Sequence, residues 1–414
     1  MRRQSASPPD AVETPAFIVR PAAIAASRDK LARLCGLAGC RALYSLKALG
    51  LPDVLRLMVP QLAGFSASSL YEALLVRHVV GPQVEVQVTS PGLRDRDCAE
   101  LAGHCDAISF NSLSQSARLN VYFFGVRKGL RVNPQMSRIN DERYDPCRKG
   151  SKLGEPASNL TRLKALPPGI SGILFHNTCE ADDFSGLKPT IERLQCEIPH
   201  ILAQISWINL GGGYGWCAPG AAGQLVEATA VLKSTTAIED IYIEPGAALV
   251  RDGGAFVASV VDLIDTDGGT VAVLDTSVNH MPEVFEYSDL PGIEPDVLGH
   301  LDDLPAGEGS SYVLAGSTCL AGDLFGTYHF AEPLAIGSRV LFPAMGAYSL
   351  VKAHMFNGQP LPNIYLERGD GTVVLRRASS FRDFAGINHM DGDGSIGDIS
   401  PSSDSEEGLV DATL

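Results

Sequence analysis

Short apolar runs, each closed by a turn signal and followed by a stretch with helical spacing, recur from Thr14 to about Gly254. "VEVQVTS", "AISF", "KGLRVNP", "GILFHN", "SWINLGGG" and "DIYIEPG" have strand length, while "ALLVRHVV" and "LVEATAVLK" between runs read as helices. "RALYSL", Arg41–Leu46, predicts another strand, with a helix starting near Pro52. Alternating strands and helices over about 250 residues suit an α/β architecture, a (β/α)₈ TIM barrel. After Gly254 the rhythm changes to strands without long helices: "AFVASVVDLID", "GTVAVLDTS", "SYVLAGST", "SRVLFPAMGAYS" and "GTVVLRR". The pattern therefore divides the chain into residues 14–254, a barrel domain, and 255–382, a β barrel or sandwich. Residues 1–13, with "SASPPD", and the Gly/Ser/Asp-rich 383–414 are expected to be disordered.

The net charge of −15 over 414 residues argues against a nucleic-acid partner, but −8 of it lies in residues 383–414. No apolar run is long enough to cross a bilayer, and the two arginines of "MRRQSASPPD" have no apolar stretch behind them. Nine scattered cysteines without a C-x-x-C pair suggest reduced thiols and no zinc site. The cytoplasm is the expected compartment, with no membrane partner and no metal.

The strand ends carry the polar residues: Lys47, Ser109, Asn111, Asn133, His176, Asn177, Gly211–Gly213 and Glu244. Polar groups gathered at one end of many strands mark a site. Lys47 follows an apolar strand, where low polarity disfavours its ammonium form and leaves an amine nucleophilic toward carbonyls; a surface lysine lying along the domain is the plain alternative. "INLGGGYG" supplies Gly211, Gly212 and Gly213 as a phosphate cradle or merely a tight turn, and it lacks both the P-loop and the dinucleotide spacing. Glu244, ahead of Pro245-Gly246, could keep a ring nitrogen protonated or form a salt bridge. His176 could lie against a planar ring. Cys319 and Asp323 in "STCLAGD" could donate a proton and grip an amine, and the Tyr348 hydroxyl could reach a phosphate oxygen. An imine-forming lysine, a glycine cradle, a carboxylate, a stacking imidazole and an acid together fit pyridoxal 5'-phosphate.

In this order the residues resemble the fold-type III, alanine-racemase-like decarboxylases, and within them the carboxynorspermidine or carboxyspermidine decarboxylases. The resemblance runs from about Thr14 to Arg377 through "ALYSLKA", "SASSLYEA", "ISFNSLSQ", "YDPCRKGSKLG", "FHNTCE", "NHMPEVFE", "STCLAGD" and "FNGQPLP". It implies a barrel joined to a β domain, and decarboxylation of an α-amino acid with a distal amine, placing the chain in polyamine biosynthesis. Lys47 would hold the cofactor covalently; His176, Asn177, Gly211–Gly213, Glu244, Gly246 and Tyr348 would bind it. Cys319 would protonate the substrate carbon, and Asp323, Glu283 and His280 would face the substrate. It also implies a homodimer in which each site is completed by the neighbour's Cys319 loop.

Ala247 stands where wider relatives have arginine, and Ser66 where ornithine and diaminopimelate enzymes have aspartate. The distal end of the substrate therefore stays open, and a 3-amino-3-carboxypropyl group on another metabolite, as in natural-product biosynthesis, is an alternative. A racemase would need a second base, usually tyrosine, where this chain offers Cys319. A non-catalytic PLP-binding regulator would not need Lys47, Glu244 and Cys319 together.

Overall fold

The computed structural model describes residues 12–137, 139, 141–287, 297–300 and 310–388. Its strands in chain order are β1 (Ala16–Val19), β2 (Arg41–Ser45), β3 (Gly64–Ala67), β4 (Glu85–Ser90), β5 (Ala107–Phe110), β6 (Arg127–Asn133), β7 (Glu155–Pro156), β8 (Ile170–Phe175), β9 (Trp207–Asn209) and β10 (Asp240–Ile243). Then come β11 (Gly254–Thr266), β12 (Gly269–Leu274), β13 (Val297–His300), β14 (Ser310–Ala315), β15 (Leu324–Phe330), β16 (Arg339–Phe342), β17 (Asn363–Glu367) and β18 (Val373–Arg377).

Strands β2 to β6 and β8 to β10 pair in parallel around a closed ring, β5 against β6 and β10 back against β2, so eight strands form the barrel. β3 and β5 are buried along their whole length, as parallel strands covered on both faces must be. The helix Pro21–Ala38 shows how sequence sets the outer layer. Proline occupies its first turn, Gly39 ends it at φ 63°, and Ile24, Leu31, Leu34, Cys35 and Ala38 form its buried stripe.

The second sheet runs β13-β15-β14-β12-β11-β1-β17-β18, with β16 also on β11. The first strand thus belongs here and not to the barrel expected from residue 14: Ala16 lies opposite Val257 on one side and Asn363 on the other. "AFIV" is apolar throughout, and periodicity cannot tell which sheet such a run will join. Two expectations at the ends are corrected as well. Val12 is buried and the Glu13 N–H donates to the Tyr365 hydroxyl at 3.1 Å, so order begins before residue 14. Phe381–Ile387 is a helix started by a capping box between Ser380 and Asp383, a local signal that outweighs the polar composition. The rest of the two expected disordered ends, 1–11 and 389–414, lies outside the described residues. Among the described residues no helix is long and apolar enough to cross a membrane, and all nine cysteines are free.

Candidate active site

Four adjacent strands, β8, β9, β10 and β2, end on the same face of the barrel. β2 passes into a one-turn 3₁₀ helix, Leu46–Ala48, which buries Leu46 and Ala48 and leaves Lys47 exposed. Lys47 opens onto a cavity of about 510 Å³, lined also by Tyr144, Cys179, Glu180, Arg251, Glu283, Tyr348 and Lys352. The apolar setting expected for this lysine is therefore corrected: its backbone turn is packed, but its amine faces a cavity with charged walls. Pinning comes from both domains. The Ser45 N–H donates to the Pro245 carbonyl at 2.9 Å, and the Tyr348 N–H donates to the Ala48 carbonyl at 3.0 Å. A Cβ on Gly246 would come within 3.2 Å of the Ser45 Cβ, so glycine permits this close approach.

Beyond β10, Glu244 accepts 2.8 Å from Asn209 Nδ2 and is hydrogen-bonded by Ser66. Burial pushes its carboxyl up, against those two hydrogen bonds and the charges of Lys47 and Arg131. Beyond β8, His176 Nδ1 accepts the Gly212 N–H at 3.0 Å. Burial, with the Lys47 and Arg131 charges, holds this imidazole well below its usual range. The ring is thus neutral, with its proton on Nε2. The glycines that follow β9 let these segments meet. A Cβ would lie 2.4 Å from the Phe175 carbonyl at Gly211, 2.1 Å from the Glu244 carbonyl at Gly212 and 2.5 Å from the Thr178 carbonyl at Gly213.

Other expected site residues lie elsewhere. Asn177 is buried behind the cavity; its amide donates to Thr190 Oγ1 at 2.7 Å and its carbonyl accepts from the Tyr214 hydroxyl. Asp323 is only 2% exposed, and its carboxylate accepts from the Val278 N–H at 2.8 Å, the Thr318 N–H at 3.1 Å and the Thr318 hydroxyl. These bonds shape the Cys319 loop, and Asp323 is not among the described residues lining the Lys47 cavity of its own chain. His280 is 1% exposed, bonded to Thr276 Oγ1 through Nδ1, and burial pushes it down to about 4. It packs in the second domain and does not line the Lys47 cavity. Glu283 and Tyr348 do line it. Cys319 is exposed, with its N–H donating to Asn357 Oδ1 at 3.1 Å, and is not among the described residues lining the cavity of its own chain.

Sequence reading passed over Arg131. It is 8% exposed on β6, acts electrostatically on His176 and Glu244, and has neither hydrogen bond nor ion pair among the described residues. A charged residue inside the apolar run "GLRV" was the available signal. It also passed over Asn209, which positions Glu244, and the Arg251–Glu180 and Lys352–Glu283 ion pairs in the cavity wall.

An amine on a pinned turn, a carboxylate raised by burial, a neutral imidazole and a triple-glycine turn packed against neighbouring backbone suit a phosphorylated pyridine aldehyde. The fold and site define a barrel enzyme of the pyridoxal phosphate class. The family described as "Pyridoxal-dependent decarboxylase, C-terminal sheet domain" matches residues 122–346. The chain is 32% identical over 375 residues to a carboxynorspermidine/carboxyspermidine decarboxylase of Herminiimonas arsenicoxydans, covering 90% of this chain and 98% of that protein. It is 34% identical over 377 residues to a carboxyaminopropylagmatine decarboxylase of Synechocystis, covering 90% and 94%. The crystal structure of carboxynorspermidine decarboxylase from Campylobacter jejuni, complexed with norspermidine, superposes with a TM-score of 0.81 at 27% identity, over 91% of this chain and all of that one. The chain therefore belongs to the pyridoxal-dependent decarboxylase family; it is a carboxy-lyase with pyridoxal phosphate as cofactor.

Proposed function

We propose that this enzyme removes the α-carboxyl of an aminocarboxypropyl polyamine, carboxynorspermidine or carboxyspermidine. The observation that carries the reading is that one cavity of about 510 Å³ holds both the Lys47 amine and two carboxylates, Glu180 and Glu283, able to meet a distal ammonium. When bound, pyridoxal phosphate supplies an aldehyde for the substrate's α-amine and an electron sink for the bond to its carboxyl. Lys47 would hold that aldehyde covalently, and Glu244 would pair with the pyridine nitrogen and favour its protonated form. His176, held by the Gly212 N–H, would stack on the pyridine ring, while Gly211–Gly213 and Tyr348 would hold the phosphate.

The proton that replaces the carboxyl comes from Cys319 of a second copy. Support lies in the exposure of Cys319 together with Leu320, Leu324, Val351 and Phe356, a set of apolar side chains fit for a two-fold contact. The free thiols support a cytoplasmic setting.

The test is product analysis with a panel of carboxy-polyamines and aminocarboxypropyl conjugates. Norspermidine or spermidine is expected with release of CO₂. Turnover confined to carboxyaminopropylagmatine would favour the second reading, motivated by the Synechocystis relative. No turnover with any of them would overturn both. Mixing Lys47→Ala with Cys319→Ala should restore up to about a quarter of the wild-type sites by subunit exchange in a two-fold dimer. Absence of recovery after demonstrated exchange would remove the shared site.

A further inference from the structure

The two carboxylates that line the Lys47 cavity are already neutralised by the protein's own cations. Arg251 pairs with Glu180, and Lys352 lies 3.4 Å from Glu283 and 2.8 Å from Glu286. A distal ammonium entering this cavity must therefore exchange with a resident cation. The two pairs differ in what the exchange costs. Arg251 forms an ion pair only with Glu180 among the described residues, although its charge also reaches Glu283, so displacing it from Glu180 leaves it without a contact partner. Lys352 has a second partner. Glu283 and Glu286 stand three residues apart on the short helix Glu283–Tyr287, so one lysine spans both. Lys352 Nζ also lies 5.7 Å from the centroid of the Tyr348 ring, a further resting place for its charge. Glu286 is the more exposed of the two acids, 46% against 30% at the side chain, so the better-solvated site holds the lysine after exchange.

We propose that Lys352 is a resident counter-cation that bridges Glu283 and Glu286 in place of the substrate's distal ammonium and withdraws wholly onto Glu286 when that ammonium binds. Glu283 is then the residue that reads the distal amine, and Glu286 is the positioning residue that makes the reading possible. The environment of Glu283 agrees. Burial pushes its carboxyl up, Lys352 pulls it back, and removal of any cation without replacement would leave a partly buried charge uncompensated. The exchange keeps Glu283 paired at every stage. The inference rests on the polyamine reading, because a substrate without a distal cation has nothing to exchange.

Calorimetric titration of the holoenzyme with norspermidine, an unbranched triamine, separates the two. Glu283→Gln should weaken binding about tenfold or more, since a charge-assisted contact is lost. Lys352→Met should tighten it by roughly three- to tenfold by removing the competitor, and Glu286→Gln should weaken it by a similar factor because Lys352 loses the carboxylate onto which it would withdraw. The double variant Glu286→Gln/Lys352→Met should behave as Lys352→Met alone. In turnover the same changes should fall on KM and leave kcat nearly constant, as expected of a contact kept through the reaction. Weaker or unchanged binding in Lys352→Met, or a Glu286→Gln effect that persists without Lys352, overturns the exchange. Triamine binding indifferent to Glu283→Gln overturns the assignment of Glu283. Failure of the wild-type holoenzyme to bind the triamine overturns the polyamine reading itself, and the inference with it.

Discussion

The two ends of the barrel hold similar charged residues in opposite conditions. At the end where the strands begin, Arg41, Glu85, Arg127 and Asp240 close on one another around Tyr242. Arg41 meets Asp240 at 2.6 Å, Arg127 meets Asp240 at 3.3 Å and also pairs with Glu85, and the Tyr242 hydroxyl accepts from Arg127 at 3.0 Å. Both guanidinium groups also lie over the Tyr242 ring, 4.5 and 5.4 Å from its centroid. At the end where the strands finish, Lys47 and Arg131 have no hydrogen bond or ion pair among the described residues, and Glu244 is held by the neutral groups Asn209 and Ser66. One end has satisfied its charges internally; at the other, Lys47 and Arg131 stay without an internal ion pair, while Glu180 and Glu283 are paired in the cavity wall. Stability is drawn from the first and given up at the second, the usual compromise of a preorganised site.

The largest effect should come from Lys47→Ala, which should lower kcat/KM by about 10⁴-fold or more without unfolding the protein. Borohydride reduction of the wild type should leave a cofactor adduct on Lys47 by peptide mapping. An adduct on Lys152 or Lys352 would remove Lys47 from its role.

The comparison itself is broken or kept by two arginines on one strand. Arg131→Met should cost about 10²-fold or more in turnover while leaving the cofactor-free protein as stable or more stable in denaturant melts, since an unpaired buried charge is gone. Arg127→Met should do the reverse: about 1–3 kcal/mol of stability lost, with turnover per folded molecule nearly unchanged. If both variants lose stability and activity alike, the two ends do not differ as described.

Packing at the paired end offers a further test. A Cβ on Gly172 would lie 2.0 Å from the Trp207 indole, so Gly172→Ala should destabilise by about 1–3 kcal/mol through overpacking. An unshifted melting temperature would show that Trp207 has room to move.

The smallest effect concerns Glu244 and pH. Its folded carboxyl is raised by burial above the ordinary value of 4.5. Its favourable contribution is therefore complete below that value and is lost as pH rises through the folded pKa. The stability of cofactor-free wild type relative to Glu244→Gln should fall as pH increases from about 4.5, and added cofactor should restore it. A difference that does not vary with pH would show that Asn209 and Ser66 already offset the burial.

Much of this was legible locally. The strand–turn signal of "ALYSLKALG" places Lys47, the triple glycine marks a close backbone approach, and Glu-Pro-Gly marks the end of β10. The misplacements have one cause. Asp323 and His280 are chemically plausible site residues in sequence, and nothing local shows that Val278 and Thr318 hold one carboxylate or that Thr276 holds the other side chain in a core. Asn177 follows His176 directly, yet it turns toward Thr190.

By itself the sequence determined the alternation of strands and helices, the change of rhythm near Gly254 and the set of groups suited to pyridoxal phosphate, because these depend on residue type and spacing along a few turns of chain. Tertiary structure alone decided that β1 joins the second sheet, that the charge of buried Arg131 acts on Glu244 and His176, and that Lys352 meets Glu283 across 69 residues. Such contacts depend on how separate strands and loops pack and on which way each side chain then faces, and that information is spread over the whole fold.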